Sequence, residues 1–331
     1  MFITFYDKDF NAINDNSSLN IEKYSLARRS YDLNTFTCTC EPIDLSVEPM
    51  FAVVRENTGQ KYYDCLAPIV TRNTDNKSSV IARDLKAVFN TEVVIDFTQT
   101  VATVQGYFEL IFASWENYVF SGFDNITFTT DFTTTESLYM PTEKAVYNVL
   151  DLFKKGLAFY ELYLESSIDI KTSTLNFTVK NNNLTTEKVI LEDYGVIDFG
   201  KSKPSTNVAV ASSEDFITTE KWYLLKDGTI TMTSSLQDLF PASTMIFTNS
   251  EFEEARYDAV MELADNRNQE AIALSLTSDD RLYDIDFGTD LEIYYNNALY
   301  KTLPIGEISE NQKGERTVTI GYKPVDLIQI I

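Results

Sequence analysis

The chain has 331 residues, with 27 Lys and Arg against 50 Asp and Glu and no histidine, so its formal charge is −23. A surface this acidic repels a phosphate backbone, because nucleic-acid affinity comes largely from Lys and Arg displacing condensed counterions. Without histidine the chain lacks the commonest general base and the commonest catalytic zinc ligand. Both sequence-reading nucleic-acid binding and the usual serine, cysteine and zinc hydrolases are disfavoured.

With 44% hydrophobic and 23% charged residues and 22 Phe, 19 Tyr and 2 Trp, the composition is that of a folded protein. Chains beyond roughly 250–300 residues tend to split into several cores, so two to four subdomains are expected. The N-terminal sequence has no basic segment followed by an apolar run, and no stretch approaches the roughly 18 apolar residues of a spanning helix, so neither targeting nor membrane insertion is expected. Three cysteines are no disulfide framework. Cys38 and Cys40 share one face of a strand as small core residues, and with Cys65 they fit synthesis in a reducing cytosol.

In chain order, residues 2–6, 33–40, 49–54 and 60–66 are rich in β-branched and aromatic side chains and predict strands of a small antiparallel barrel or sandwich. Ser79 precedes a short helical pattern with Ala82, Leu85, Val88 and Phe89 on one face, and residues 92–97 return to strand. From Thr103 the apolar residues Tyr107, Phe108, Leu110, Ile111, Phe112, Trp115, Tyr118 and Val119 recur at helical spacing, with Gly122 placed to stop the helix.

A further helix is expected from Pro141, carrying Val146, Val149, Leu150 and Phe153 inward and ending at Lys154-Lys155-Gly156, with cations at the negative dipole end and a C-cap glycine. Residues 159–164, 167–170, 174–179 and 188–191 then predict a meander turning at Asn181-Asn-Asn183. Residues 207–212 form a strand and 222–232 a hairpin turning at Asp227-Gly228. Ser250-Glu-Phe-Glu253 has the form of a capping box opening a helix up to about Ala271, with Phe252, Ala255, Ala259, Val260 and Leu263 buried. Strands at 272–276, 290–295, 300–303, 305–308 and 317–321 close the chain. The result is an α+β, β-rich chain with no internal repeat.

None of the phosphate-loop, nucleophile-elbow, zincin or dinucleotide motifs occurs, and the 11 glycines are scattered singly. Carboxylates are abundant, but none is marked as a glycosidase acid or nucleophile. The run Asp279-Asp280, Asp284, Asp286, Asp290 departs from a calcium loop, because Ile285 and Phe287 interrupt it and Gly288 is out of place. Residues 283–288 read instead as a strand running into a turn. The sequons at Asn125, Asn176 and Asn183 are expected by chance in an Asn- and Thr-rich chain. No catalytic, cofactor or metal site is expected. Residues 251–331 carry 17 acidic and 7 basic side chains, more than twice the negative charge per residue of the first 250.

Four stretches together resemble the baseplate hub or tail-tip proteins of long-tailed phages and prophages of Gram-positive bacteria. They are Ile21-Glu-Lys-Tyr-Ser with Tyr31-Asp-Leu-Asn-Thr-Phe-Thr-Cys, then Val80-Ile-Ala-Arg-Asp-Leu-Lys-Ala-Val-Phe-Asn, then Pro204-Ser-Thr-Asn-Val-Ala-Val-Ala. The fourth runs from Glu253 through Tyr283-Asp-Ile-Asp-Phe-Gly-Thr-Asp-Leu-Glu-Ile-Tyr to Thr-Val-Thr-Ile-Gly321. The family's Gly-Asp dipeptide is split here, as Gly288-Thr-Asp290.

The resemblance implies two small β-barrel-like domains bracketing a helix-containing α+β middle. Their expected bounds are 1–75 for the first barrel, 76–175 joined by 235–271 for the middle, and 176–234 with 272–331 for the second barrel. It also implies a non-enzymatic virion structural protein. That protein is a homotrimer at the tail tip, assembled in the host cytoplasm and partnered by the distal tail protein, the tape-measure protein and a tip or receptor-binding protein. DNA is then a passing, unbound polyanion. Asp279, Asp280, Asp290, Glu307 and Glu310 are the expected acidic lining of that passage. The alternatives from composition are a cell-surface adhesin or carbohydrate-binding β protein and, third, a glycoside hydrolase.

Overall fold

The computed structural model describes residues 1–13, 18–30, 32–43, 47–72, 77–118, 125–182, 184–201, 206–225, 228–233, 244–266 and 270–321. The expected turn residues Gly122, Asn183 and Asp227 lie outside these. The chain is β-rich with three α-helices among the described residues: α1 (Val104–Tyr118), α2 (Val149–Phe159) and α3 (Phe252–Asp265).

Six antiparallel strands form the N-terminal unit, and their pairing returns to its start. Phe2–Tyr6 pairs with Phe51–Arg55, which leads through Lys61–Arg72, Ser78–Asp84 and Thr35–Cys40 to Leu19–Arg29, and Leu19–Arg29 pairs back onto Phe2–Tyr6. Alternation sends Ile3, Phe5, Phe36, Cys40, Ala52, Val54, Val80 and Ala82 into one core. Cys38, Cys40 and Cys65 are all buried there as free thiols, as expected of small core residues.

A second six-stranded sheet is ordered Thr185–Ile190, Thr289–Tyr295, Ala298–Asn311, Arg316–Gly321, Glu270–Leu276, Gly195–Lys201, with only its first pair parallel. It closes over Val189, Ile272, Leu274, Leu291, Ile293, Leu303, Ile305 and Ile320. Two long strands join the units: Ser25–Arg29 of one lies antiparallel to Glu307–Asn311 of the other, in the register Leu26 opposite Glu310.

The remaining elements share one aromatic core. Glu92–Asp96 pairs with Lys144–Asn148, and Leu162–Asp169, Thr174–Asn181 and Ile126–Asp131 make a three-stranded sheet whose last pair is parallel. Ile230–Thr231, Thr219–Leu224, Val208–Ser213 and Thr244–Asn249 make a four-stranded sheet against α3. Phe89 sits at the centre, its ring 4.8 Å from the rings of Trp115 on α1, Phe153 on α2 and Phe177 on the three-stranded sheet.

Several local expectations are corrected. The stripe Ala82, Leu85, Phe89 is not one helix. Ser78–Asp84 is a strand of period two, and Asp84 then caps a single 3-10 turn, Leu85–Phe89, by accepting from Lys86 N at 3.0 Å. Residues from Pro141 do not start a helix, because Lys144–Asn148 is extended, Val146 is exposed, and Asn148 caps α2 by accepting from Asp151 N at 3.2 Å.

Gly156 is no C-cap either, since α2 runs on to Phe159. Its role is close approach: a Cβ there would stand 2.9 Å from Tyr107 Cε1 and 3.1 Å from the Phe108 ring, both on α1. We expect Gly156→Ala to cost about 1–3 kcal/mol by overpacking, although alanine is normally the better helix former. A urea midpoint equal to or above that of the parent would show that α1 yields freely.

The capping box is absent. Asn249 Oδ1 accepts from Glu251 N at 3.1 Å, and Glu251 is the N-cap without a side-chain bond. α3 ends at Asp265, where Asn266 Nδ2 donates to Glu262 O at 2.8 Å. The strands expected at 300–303 and 305–308 are one, Ala298–Asn311, and residues 283–287 are turns rather than a strand, with Leu282 and Ile285 anchoring them in the core. The expected meander also loses its last strand, since Thr185–Ile190 leaves to pair with Thr289–Tyr295.

Candidate functional site

The five acidic residues singled out in the sequence do not gather in one place. Asp279 is exposed in the turn after Glu270–Leu276, and Asp280 beside it accepts from Thr277 N and Oγ1 at 2.5 and 2.9 Å. Glu307 and Glu310 lie on the strand that joins the two six-stranded units and project to opposite faces, being an odd number of residues apart. Glu307 pairs with Arg29 at 3.1 Å, and Glu310 accepts from Tyr24 OH at 2.9 Å. Burial first, and then Glu310, pushes the Tyr24 and Tyr62 hydroxyls well above the usual tyrosine range, so both remain neutral donors at this seam. Asp290 lies elsewhere, in a cleft.

Beside the seam is a cleft of about 320 Å³ whose walls include Arg28, Arg29, Lys61, Tyr62, Lys86 and Tyr163. In so acidic a chain this concentration of cations suggests an anion site, but each cation is already engaged. Arg28 meets Asp286 at 3.0 Å, Arg29 meets Glu307, Lys61 meets Asp64 at 2.5 Å, and Lys86 meets Asp84 at 3.2 Å. Asp64 also accepts from Ile168 N at 2.7 Å, tying the first unit to the three-stranded sheet. The charges here hold three units together, and none of these partners was legible as such, because the pairs are 3 to 278 residues apart.

The second cleft, of about 800 Å³, lies where the aromatic core, the four-stranded sheet and the second six-stranded sheet meet. Glu136 and Tyr139 reach it from the segment before Lys144–Asn148, Glu161 from the turn after α2, and Trp222 from Thr219–Leu224. Asp290 comes from Thr289–Tyr295, and Tyr300 and Lys301 from Ala298–Asn311. Tyr139 stands edge-on to Trp222 and to Phe159 at centroid distances of 5.8 and 5.3 Å. Glu161 has a positive φ of 53°. Of these residues sequence reasoning named only Asp290, and Trp222 as part of a hairpin. No motif connects the others.

Partial burial, and then repulsion from Glu161, pushes the Asp290 carboxyl up to about 6. Because this lies above the value of an unfolded aspartate, the native state binds the proton more tightly, and the destabilisation grows as pH rises from about 4 to about 6 and is complete above that. Asp290→Asn removes it. The variant should melt above the parent at pH 7.5 and with it at pH 4, and a variant that melts below the parent at pH 7.5 would contradict this account.

No family model and no curated protein matches the sequence. Solved structures do. The 43 kDa tail protein of prophage MuSo2 from Shewanella oneidensis aligns over 98% of both chains, with a TM-score of 0.55 and 11% identity. Prophage tail protein gp18 from Listeria monocytogenes EGD-e aligns over 100% of this chain and 97% of its own, with a TM-score of 0.55 and 9% identity. In the half-lidded Francisella PdpA-VgrG complex, 97% of this chain matches 57% of the neighbour at a TM-score of 0.50 and 13% identity. The chain thus has the fold of prophage tail proteins, β-rich and matched from end to end. The Shewanella and Listeria proteins are equally similar in fold, so the likeness does not single out Gram-positive hosts.

Proposed function

We propose that the protein is a non-catalytic structural component of a phage or prophage tail, a homotrimeric baseplate hub at the tail tip. The observation that carries this is the end-to-end likeness to two prophage tail proteins, joined to the family resemblance of the sequence. In this reading the two six-stranded units are the two barrel domains of each subunit. Their edge-to-edge union through Leu19–Arg29 and Ala298–Asn311 sets their spacing rigidly, so that three copies supply six units around an axis. Ile69 and Ile81, directly opposite each other and both exposed on the outside of the first unit, are apolar surface of the kind that obligate interfaces cover.

The distal tail protein, the tape-measure protein and a tip protein are the partners this position requires, and the acidic C-terminal third faces the passage. Glu307 is offset by Arg29, which leaves Asp279 and Asp280 as the accessible members of the proposed lining.

Light scattering on the purified protein tests the assembly. A particle of three 37.7 kDa chains is expected, and a monomer that stays monomeric with the distal tail protein added overturns the hub. Asp279→Asn with Asp280→Asn tests the lining separately, since unchanged DNA ejection would sink the lumen while leaving the trimer standing.

A further inference from the structure

We propose that the 800 Å³ cleft around Glu161 and Asp290 receives a Lys- or Arg-bearing segment of a partner protein, the cation lying between the carboxylates and the aromatic wall. This goes beyond the hub assignment and stands on the cleft alone.

Charge is the first ground. Glu136, Glu161 and Asp290 line the cleft against a single cation, Lys301, so its field is negative. The elevated Asp290 carboxyl has the same origin: burial and Glu161 act on it together, and a cation held between the two would relieve both.

Shape is the second ground. Among the described residues no three acidic or cysteine side chains converge closely enough to hold a metal ion. The negative charge is spread along the walls, which suits an extended organic cation on an apolar stem rather than a chelated metal. Tyr139, Phe159, Trp222 and Tyr300 supply aromatic wall for the stem and for cation–π contact. The volume falls within the roughly 300–1,000 Å³ of ligand pockets.

The third ground is an orphaned donor in the wall. Trp222 is 7% exposed, and its buried indole N–H has no acceptor among the described residues. A buried donor left unpaired is costly. A side-chain ammonium or guanidinium cannot satisfy it, whereas a backbone carbonyl of an incoming segment can, after a small shift of the indole. The cleft thus calls for both a cation and a peptide acceptor, which a free polyamine does not provide.

The full chain has two tryptophans, Trp115 and Trp222, so two indole N–H resonances are expected, assigned by Trp222→Phe. Titration with acetyl-Gly-Arg-Gly-amide should move the Trp222 signal saturably and leave the buried Trp115 signal in place. The neutral acetyl-Gly-Gln-Gly-amide should bind at least about tenfold more weakly, and Glu161→Gln with Asp290→Asn should weaken the arginine peptide by about the same factor. Affinity should fall below about pH 6, where Asp290 holds its proton with Glu161, Glu136 and Lys301 around it.

No saturable shift at millimolar peptide overturns the proposal. So does binding that ignores the double substitution, spermidine binding as tightly as the peptide, or preference for an N-acetylglucosamine oligomer. Circular dichroism of the double variant must match the parent, and an unfolded variant is replaced by Glu161→Gln alone, for which retained affinity is likewise decisive against the proposal.

Discussion

Phe89→Ala should lower stability by about 3–5 kcal/mol, the range for removing a fully buried aromatic ring. Phe89 has no exposed surface and touches rings from three other elements: Trp115 and Phe112 on α1, Phe153 on α2 and Phe177 on the three-stranded sheet, at 4.8–6.3 Å between centroids. The loss has two parts, the transfer free energy of the ring and the cavity it leaves. The cavity part is large here, because the walls belong to two helices and a sheet that cannot all move inward. Urea unfolding followed by Trp115 fluorescence provides the measurement. A loss under about 1 kcal/mol would mean that the aromatic core collapses readily, contrary to the packing.

Lys86→Met should be comparably severe, about 3–5 kcal/mol, through charge rather than volume. Lys86 and Asp84 are both nearly inaccessible and lie 3.2 Å apart. The ammonium also donates to Asp32 O at 2.8 Å, and Asp84 accepts from Asn34 N at 2.8 Å and Lys86 N at 3.0 Å. Methionine fills the volume, but it leaves a buried carboxylate without its cation at the junction of the first unit and the aromatic core. Removing both charges tests the cause: Asp84→Asn with Lys86→Met should recover a substantial part of the loss, giving a coupling energy of about 1–3 kcal/mol in a double-mutant cycle. If the double variant is as unstable as the sum of the singles, the pair is not what holds the junction.

Much of the strand content was legible because alternation is a local signal. Phe2–Tyr6, Thr35–Cys40, Phe51–Arg55, Val208–Ser213, Thr289–Tyr295 and Arg316–Gly321 lie where period-two patterns predict them. The buried stripe of α1 was equally plain, with Tyr107, Phe108, Ile111, Phe112 and Trp115 all inward. Element ends were less legible. Asn148 and Asn249 decide where α2 begins and how α3 is approached, yet each was outweighed in the sequence by a stronger apparent signal, Pro141 and the Ser250–Glu253 spacing. Gly156 shows why such signals mislead: glycine after two lysines reads as a helix stop, but the physical need is room for the rings of α1.

The candidate cleft was almost invisible beforehand. Glu136, Glu161, Trp222 and Asp290 come from four separated segments, and nothing local marks any of them, since a carboxylate becomes unusual only through what surrounds it. The same holds for Glu307 and Glu310, which in sequence look like surface charge and in the fold are partners of Arg29 and Tyr24.

By itself the sequence determined what depends on composition and short-range period: an acidic, histidine-free, β-rich chain, its cysteines in a core, and a likeness to phage tail proteins that the fold bears out. Only the tertiary structure decided how the strands are partnered. Thr185–Ile190 reads as the end of a meander yet pairs with a strand about a hundred residues away, and Leu19–Arg29 joins two units by pairing with residues 307–311. A strand's pattern tells which face is buried but carries no label for the edge it will meet, because backbone hydrogen bonds are the same whichever strand supplies them.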